Sequence, residues 1–255
     1  MTANHVALRE RATFVSSKAA VRRSRRIRRA LTATGAAVIL AVGFALGVNS
    51  DRLTQAMAYR LTALGLAAPD ASAAFAAYEK GYLACALRLA EPLAEKGDVR
   101  AQSLLGLIYY IGRGPTRDDA KAVTWLRLAA DQGDAAAQFR LGLMYSEGQG
   151  VPQDHAEAAR WYRLAADQRY PQAQYNLGLL YAKGEGVEQD NVMAHVWFNL
   201  AVAQFPASDA RNRTAAVNSR DVVANKLTRE QIAEAQKLAR EWQAMARAQL
   251  GGGTS

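Results

Sequence analysis

The stretch AQFRLGLMYSEGQGVPQDHAEAARWYRLAADQ, residues 137–168, decides the fold, because the sequence on both sides repeats its pattern at a spacing of 36 residues. In that one frame Ala101, Ala137 and Ala173 coincide, as do Gln102, Gln138 and Gln174. Leu105, Leu141 and Leu177 coincide with the glycines that follow them, Gly106, Gly142 and Gly178, and with Tyr109, Tyr145 and Tyr181. The register continues through Gly112, Gly148 and Gly184 and through Gly114, Gly150 and Gly186. It runs on through Asp118, Asp154 and Asp190, Ala122, Ala158 and Ala194, and Trp125, Trp161 and Trp197, and ends on Leu128, Leu164 and Leu200. A fixed period between 20 and 50 residues marks a stacked array, in which each unit buries its apolar face against its neighbours.

Inside one unit the pattern reads helix, loop, helix. Over residues 135–146, Ala137, Leu141, Met144 and Tyr145 fall at i, i+4, i+7 and i+8, on one face of a helix. Gly148 and Gly150 suit the left-handed backbone just past a helix end, and Pro152 cannot continue a helix. Asp154 opens the second run, Ala158, Trp161, Tyr162 and Ala165, where its carboxylate is placed to accept from the orphan amides as an N-cap. Gly142 sits in mid-helix at a cost of about 1 kcal/mol relative to alanine. Its recurrence in every unit points to a closely crossing partner helix.

The residues that carry this pattern are Ala-x-x-x-Leu-Gly-x-x-Tyr in the first helix, Gly-x-Gly in the loop, the aspartate, and Ala-x-x-Trp-x-x-x-Ala in the second helix. Together they resemble the Sel1-like repeat, a relative of the tetratricopeptide repeat, in three copies at residues 98–133, 134–169 and 170–205. The resemblance implies an all-α fold, antiparallel helix pairs stacked into a right-handed α-α superhelix. It also implies protein–protein assembly, in signalling, envelope or polysaccharide regulation, or host contact.

Toward the N-terminus, residues 71–97 read as a degenerate capping unit in which Ala86 matches Ala122 and Leu89 replaces the tryptophan. End units depart from consensus because one of their faces meets water. Cys85, the only cysteine, reads as a small core residue and leaves no intramolecular disulfide. Residues 49–70 form a linker in which Leu53, Met57, Leu61 and Leu64 keep helical spacing. Residues 30–48, ALTATGAAVILAVGFALGV, carry no charge and as a helix span ~28 Å, enough for the hydrocarbon core of a bilayer. Residues 1–29 hold nine basic side chains against the single acid Glu10, a net +8 of the chain's formal +9. The positive-inside rule then makes this tail cytoplasmic and places the array on the periplasmic side of a bacterial inner membrane. A signal peptide cleaved near Ala56-Met57-Ala58 is the rival reading, with the array exported.

Toward the C-terminus, Ser208-Asp209 starts a helix that runs to about Lys226. Thr228-x-x-Gln231 has the form of a capping box ahead of an amphipathic face made by Ile232, Ala235, Leu238, Ala239, Trp242 and Met245. Residues 206–250 therefore read as capping helices, and residues 251–255 as a flexible tail. From Ala71 onward the sequence predicts about ten helices.

No constellation for catalysis emerges. His5, His155 and His195 have no cysteine or histidine at ligand spacing, and neither a Gly-x-Ser-x-Gly elbow nor a Walker-type loop occurs. No cofactor and no metal is implied. Nucleic acid is disfavoured because the basic charge is confined to one terminal block, whereas phosphate binding needs a basic surface. Function then rests on the surface between units, where the copies diverge while the framework stays constant. On the first helices these positions are Ser103, Phe139 and Tyr175; Leu104, Arg140 and Asn176; Tyr110, Ser146 and Ala182; and Ile111, Glu147 and Lys183. They form the expected groove for a peptide or protein segment of a membrane-anchored adaptor. The rival readings are variable solvent-facing residues, an envelope enzyme or cell-wall glycan binder using the same groove, and a cytoplasmic protein touching nucleic acid through its basic tail.

Overall fold

The computed structural model describes residues 71–112 and 117–251. The basic tail, the apolar stretch 30–48, the linker 49–70, Gly114 and residues 252–255 lie outside them. Ten α-helices and no strand occur among the described residues. They are α1 (Ala71–Glu79), α2 (Leu83–Ala94), α3 (Val99–Ile111), α4 (Asp119–Asp131), α5 (Ala135–Glu147), α6 (His155–Asp167), α7 (Pro171–Lys183), α8 (Asn191–Gln204), α9 (Ala210–Ala224) and α10 (Arg229–Gly251). None of them is long and apolar enough to cross a membrane.

The chain divides between Gly81 and Tyr82, with α1 in one unit and α2 to α10 in the other. In the first unit α1 buries Ala71, Ala74 and Ala77. The second unit is a stack of hairpins, α3 with α4, α5 with α6 and α7 with α8, each second helix also packing on the next first helix. Helix α2 packs on α3 at one end of this stack, and α9 and α10 both pack on α8 at the other.

Local chemistry sets the helix limits. Asp98 and Asp134 accept from the amides of Ala101 and Ala137 at 2.8 and 2.7 Å and so cap the first helices of two repeats. The third first helix has no side-chain cap and begins with Pro171, whose missing N–H would be an orphan in any case. Asp118, Asp154 and Asp190 cap the second helices, as the spacing predicts. Gly148 and Gly184 end α5 and α7 in the left-handed conformation. The capping box ahead of α10 forms as read, with Thr228 N–H donating to Gln231 Oε1 and Gln231 N–H to Thr228 Oγ1.

The mid-helix glycines permit the close crossing expected of them. A Cβ on Gly106, Gly142 or Gly178 would lie 2.5–2.7 Å from the side chain of Leu126, Tyr162 or Phe198 on the facing second helix. Those three contacts are themselves 36 residues apart. The second glycine of each loop serves a different junction. A Cβ on Gly150 would meet the Asp119 carbonyl at the start of α4, and one on Gly186 would meet the His155–Ala156 backbone at the start of α6. Each loop thus seats on the preceding hairpin. Trp161 and Trp197 are 3% and 2% exposed and Trp125 is half-buried, so the repeated tryptophan belongs to the interior. Such a packed tryptophan typically contributes ~3 to 5 kcal/mol.

Candidate functional site

The residues at which the repeats diverge do not share one environment. Leu104 is fully enclosed, and Ser103 is buried with its hydroxyl donating to Asp134 Oδ1 at 3.0 Å. Both leave the set of partner-contacting residues, because an enclosed position takes leucine in α3 where α5 and α7 present Arg140 and Asn176 half-buried. Tyr110, Phe139, Ser146 and Tyr175 are also half-buried, and Ile111, Glu147 and Lys183 are exposed. Lys183 pairs with Glu185 at 3.4 Å.

Tyr162 links these residues. Its ring lies against Gly142, and Asn176 and Ser146 act on its hydroxyl. Burial pushes the phenol far up, against the opposing effect of Asn176 and Ser146. Because the equivalent positions are Leu126 and Phe198, only the middle repeat brings a hydroxyl to this point. Tyr110 is also pushed up, first by burial and then by the Glu147 carboxylate. Phe139 stands 6.0 Å from the Tyr162 ring and 5.1 Å from that of Tyr170. No carboxylate among the described residues lies within ion-pair distance of Arg140. The face therefore offers a cation, aromatic edges and a cluster of hydroxyl and amide groups on neighbouring first helices.

Two periodic devices went unread in the sequence. Gln102, Gln138 and Gln174 are buried and donate to the carbonyls of Ala94, Ala130 and Ala166, which tie each first helix to the end of the helix before it. Gln132 and Gln168 donate to the side-chain oxygens of Gln102 and Gln138 at 2.7 and 2.8 Å. In the third repeat Gln204 accepts from Arg169 instead, and Gln174 Oε1 has no donor. Arg127 and Arg163 form the second device. Each donates to the hydroxyl of Tyr145 or Tyr181 and lies over a tryptophan, Trp161 at 5.6 Å or Trp197 at 5.0 Å. The signal for both was the same 36-residue recurrence of glutamine and arginine; what it lacked was any sign of which atoms they reach.

A cleft of about 830 Å³ opens beside Arg163, lined also by Tyr181, the Val187–Asp190 loop, the start of α8 and the α9–α10 turn with Lys226, Leu227 and Gln231. Among the described residues no group of His, Cys, Asp and Glu is placed to hold a metal ion.

The model of the Sel1 repeat matches residues 99–134, 135–170 and 171–204, the three hairpins just described. This is a Sel1-repeat protein. Among solved structures, a protective antigen present in uropathogenic Escherichia coli strains and displaying an SLR fold is 30% identical, with a TM-score of 0.66 over 86% of this chain. The present chain spans about half of that antigen, 47% of its length. A Sel1 repeat protein from Oxalobacter formigenes is 37% identical over 46% of this chain and 90% of its own, with a TM-score of 0.45. Comparison with curated proteins gives no match. Sel1-repeat proteins are in general protein-interaction scaffolds.

Proposed function

We propose that this Sel1-repeat protein is a non-catalytic adaptor that holds a peptide or protein segment on its first-helix face, with the array tethered at the periplasmic side of a membrane by residues 30–48. One observation carries the binding role. Positions constant between repeats, such as Leu141, Gly142 and Trp161, are buried framework, whereas the divergent Tyr110, Phe139, Arg140, Ser146, Tyr175 and Asn176 keep part of their surface open. A scaffold with a constant interior and a varied face is suited to selecting one partner, since aromatic and arginine side chains are the usual anchors of interfaces. The tether rests on the nineteen uncharged residues and their arginine-rich flank.

The test is crosslinking from cells with the full chain, followed by comparison with Arg140→Glu. The partner recovered with the parent chain should be lost from the variant, while the thermal midpoint stays within a degree or two of the parent. Equal recovery from both would place binding elsewhere. For the tether, fractionation with added protease should find the repeats in the membrane fraction and cleaved only once the outer barrier is opened; repeats in the soluble cytoplasmic fraction would contradict it.

A further inference from the structure

We propose that the cleft beside Arg163 binds the C-terminal end of a peptide, its terminal carboxylate taken by Arg163 and Lys226. The site is independent of the first-helix face. Its origin lies in the 36-residue register. The Gly150 loop seats on the start of α4 and the Gly186 loop on the start of α6, so a following loop would seat on Asn191 and Val192 at the start of α8. At the next 36-residue step Arg220 and Val222 stand where the two loop glycines would fall. The α9–α10 turn takes that side instead, contributes Lys226 and Leu227, and leaves the space open.

What lines the space specifies the ligand. Arg163 is fixed by the Tyr181 hydroxyl and by the rings of Tyr181 and Trp197, at 5.6 and 5.0 Å. Yet no carboxylate among the described residues lies within ion-pair distance of Arg163 or of Lys226. Asp167, one turn further along α6, is affected by the Arg163 charge without pairing to it. A guanidinium oriented in advance and lacking a counter-ion is suited to a planar carboxylate. Two acids also line the cleft. Asp190 is engaged by the Met193 amide at 2.9 Å, and Glu188 is exposed. Two cations facing two acids disfavour a phosphate or another polyanion and leave room for a single negative charge. Val187, Val192 and Leu227 add an apolar wall. A chain terminus carries its carboxylate and an apolar side chain on one residue, so it matches cations and wall together, a mode of recognition known for C-terminal carboxylates.

Fluorescence anisotropy on the full chain tests this with fluorescein-labelled Ala-Ala-Ala-Val-Leu as the free acid, the same peptide as its C-terminal amide, and an amidated peptide with an internal glutamate. The free acid should saturate, and the other two probes should bind about tenfold more weakly or worse, with affinity falling as salt rises. Because Arg163 also packs on Trp197, the deciding variant is Lys226→Glu at an exposed position. It should weaken the free acid, whereas Lys96→Glu, with the same change of charge at another exposed position, should not. The proposal is overturned if acid and amide bind alike, if the internal glutamate binds as well as the free terminus, if both lysine variants behave alike, or if the free acid fails to saturate by about 1 mM.

Discussion

Replacing Gln138 by leucine keeps most of the side chain's volume and removes both of its side-chain hydrogen bonds. The Ala130 carbonyl still accepts from the Gly133 amide at 3.0 Å and the Gln168 amide still donates to the Gly133 carbonyl at 2.9 Å, so the cost is that of two lost bonds and not of orphaned groups. A loss of about 1–3 kcal/mol is expected in urea unfolding. Gln174→Leu should cost less, because Gln174 Oε1 has no donor to lose and only the bond to Ala166 is broken. Equal costs would show that the second bond of Gln138 contributes nothing. Gly142→Ala tests a different contact, the approach of the Tyr162 ring at 2.6 Å to where a Cβ would lie. Alanine is the better helix former by about 1 kcal/mol, yet overpacking should win and lower stability by about 1–3 kcal/mol net. In a Tyr162→Ala background the same change should turn neutral or stabilising, which a double-mutant cycle on thermal midpoints will read. The sequence showed that Gly142 needed a close neighbour, because only a steric demand explains glycine recurring in mid-helix. It did not show that Ser103 and Leu104 are enclosed. Divergence between copies marks a position as free of the common framework, and an end of the array has packing demands of its own.

At the scale of elements, α8 is the helix on which the terminus closes, since α7, α9 and α10 all pack on it. Its His195 is 4% exposed, and burial, helped by the Arg220 guanidinium and opposed by Asp221, holds its pKa below the ordinary 6.5. The unfolded chain therefore takes up this proton first. The stability His195 contributes is full above about pH 6.5 and is lost as pH falls through the lower folded-state value. Thermal midpoints measured from about pH 7.5 to 5.5, above the usual carboxylate range, should decline, and His195→Gln should flatten that decline. An unchanged slope would assign it to other groups. Helix limits were legible because aspartate caps and left-handed glycines are local: the Asp154 start of α6 and the Thr228–Gln231 box of α10 lie where the residues put them. The cleft was not legible, as Arg163 and Lys226 are distant in sequence and line one space only when α9 and α10 fold onto α8.

For the whole molecule, stability is distributed as a sum of units and junctions, because the hairpins contact mainly their immediate neighbours. The second glycine of each loop gives that arrangement an evolutionary corollary. Gly150 meets α4 and Gly186 meets α6 in the same way, so the two junctions are interchangeable modules. Excising residues 135–170 as one cassette would bring Gly186 to Asp119 and Gln174 to the Ala130 carbonyl, with Asp134 left to cap the helix that begins at Pro171. Such a shortened chain should still melt cooperatively and keep its helical circular dichroism per residue, whereas removing 34 or 38 residues should not. The array is then built to lengthen or shorten by whole cassettes, since a deletion of another length across a junction shifts the joint between one hairpin and the next.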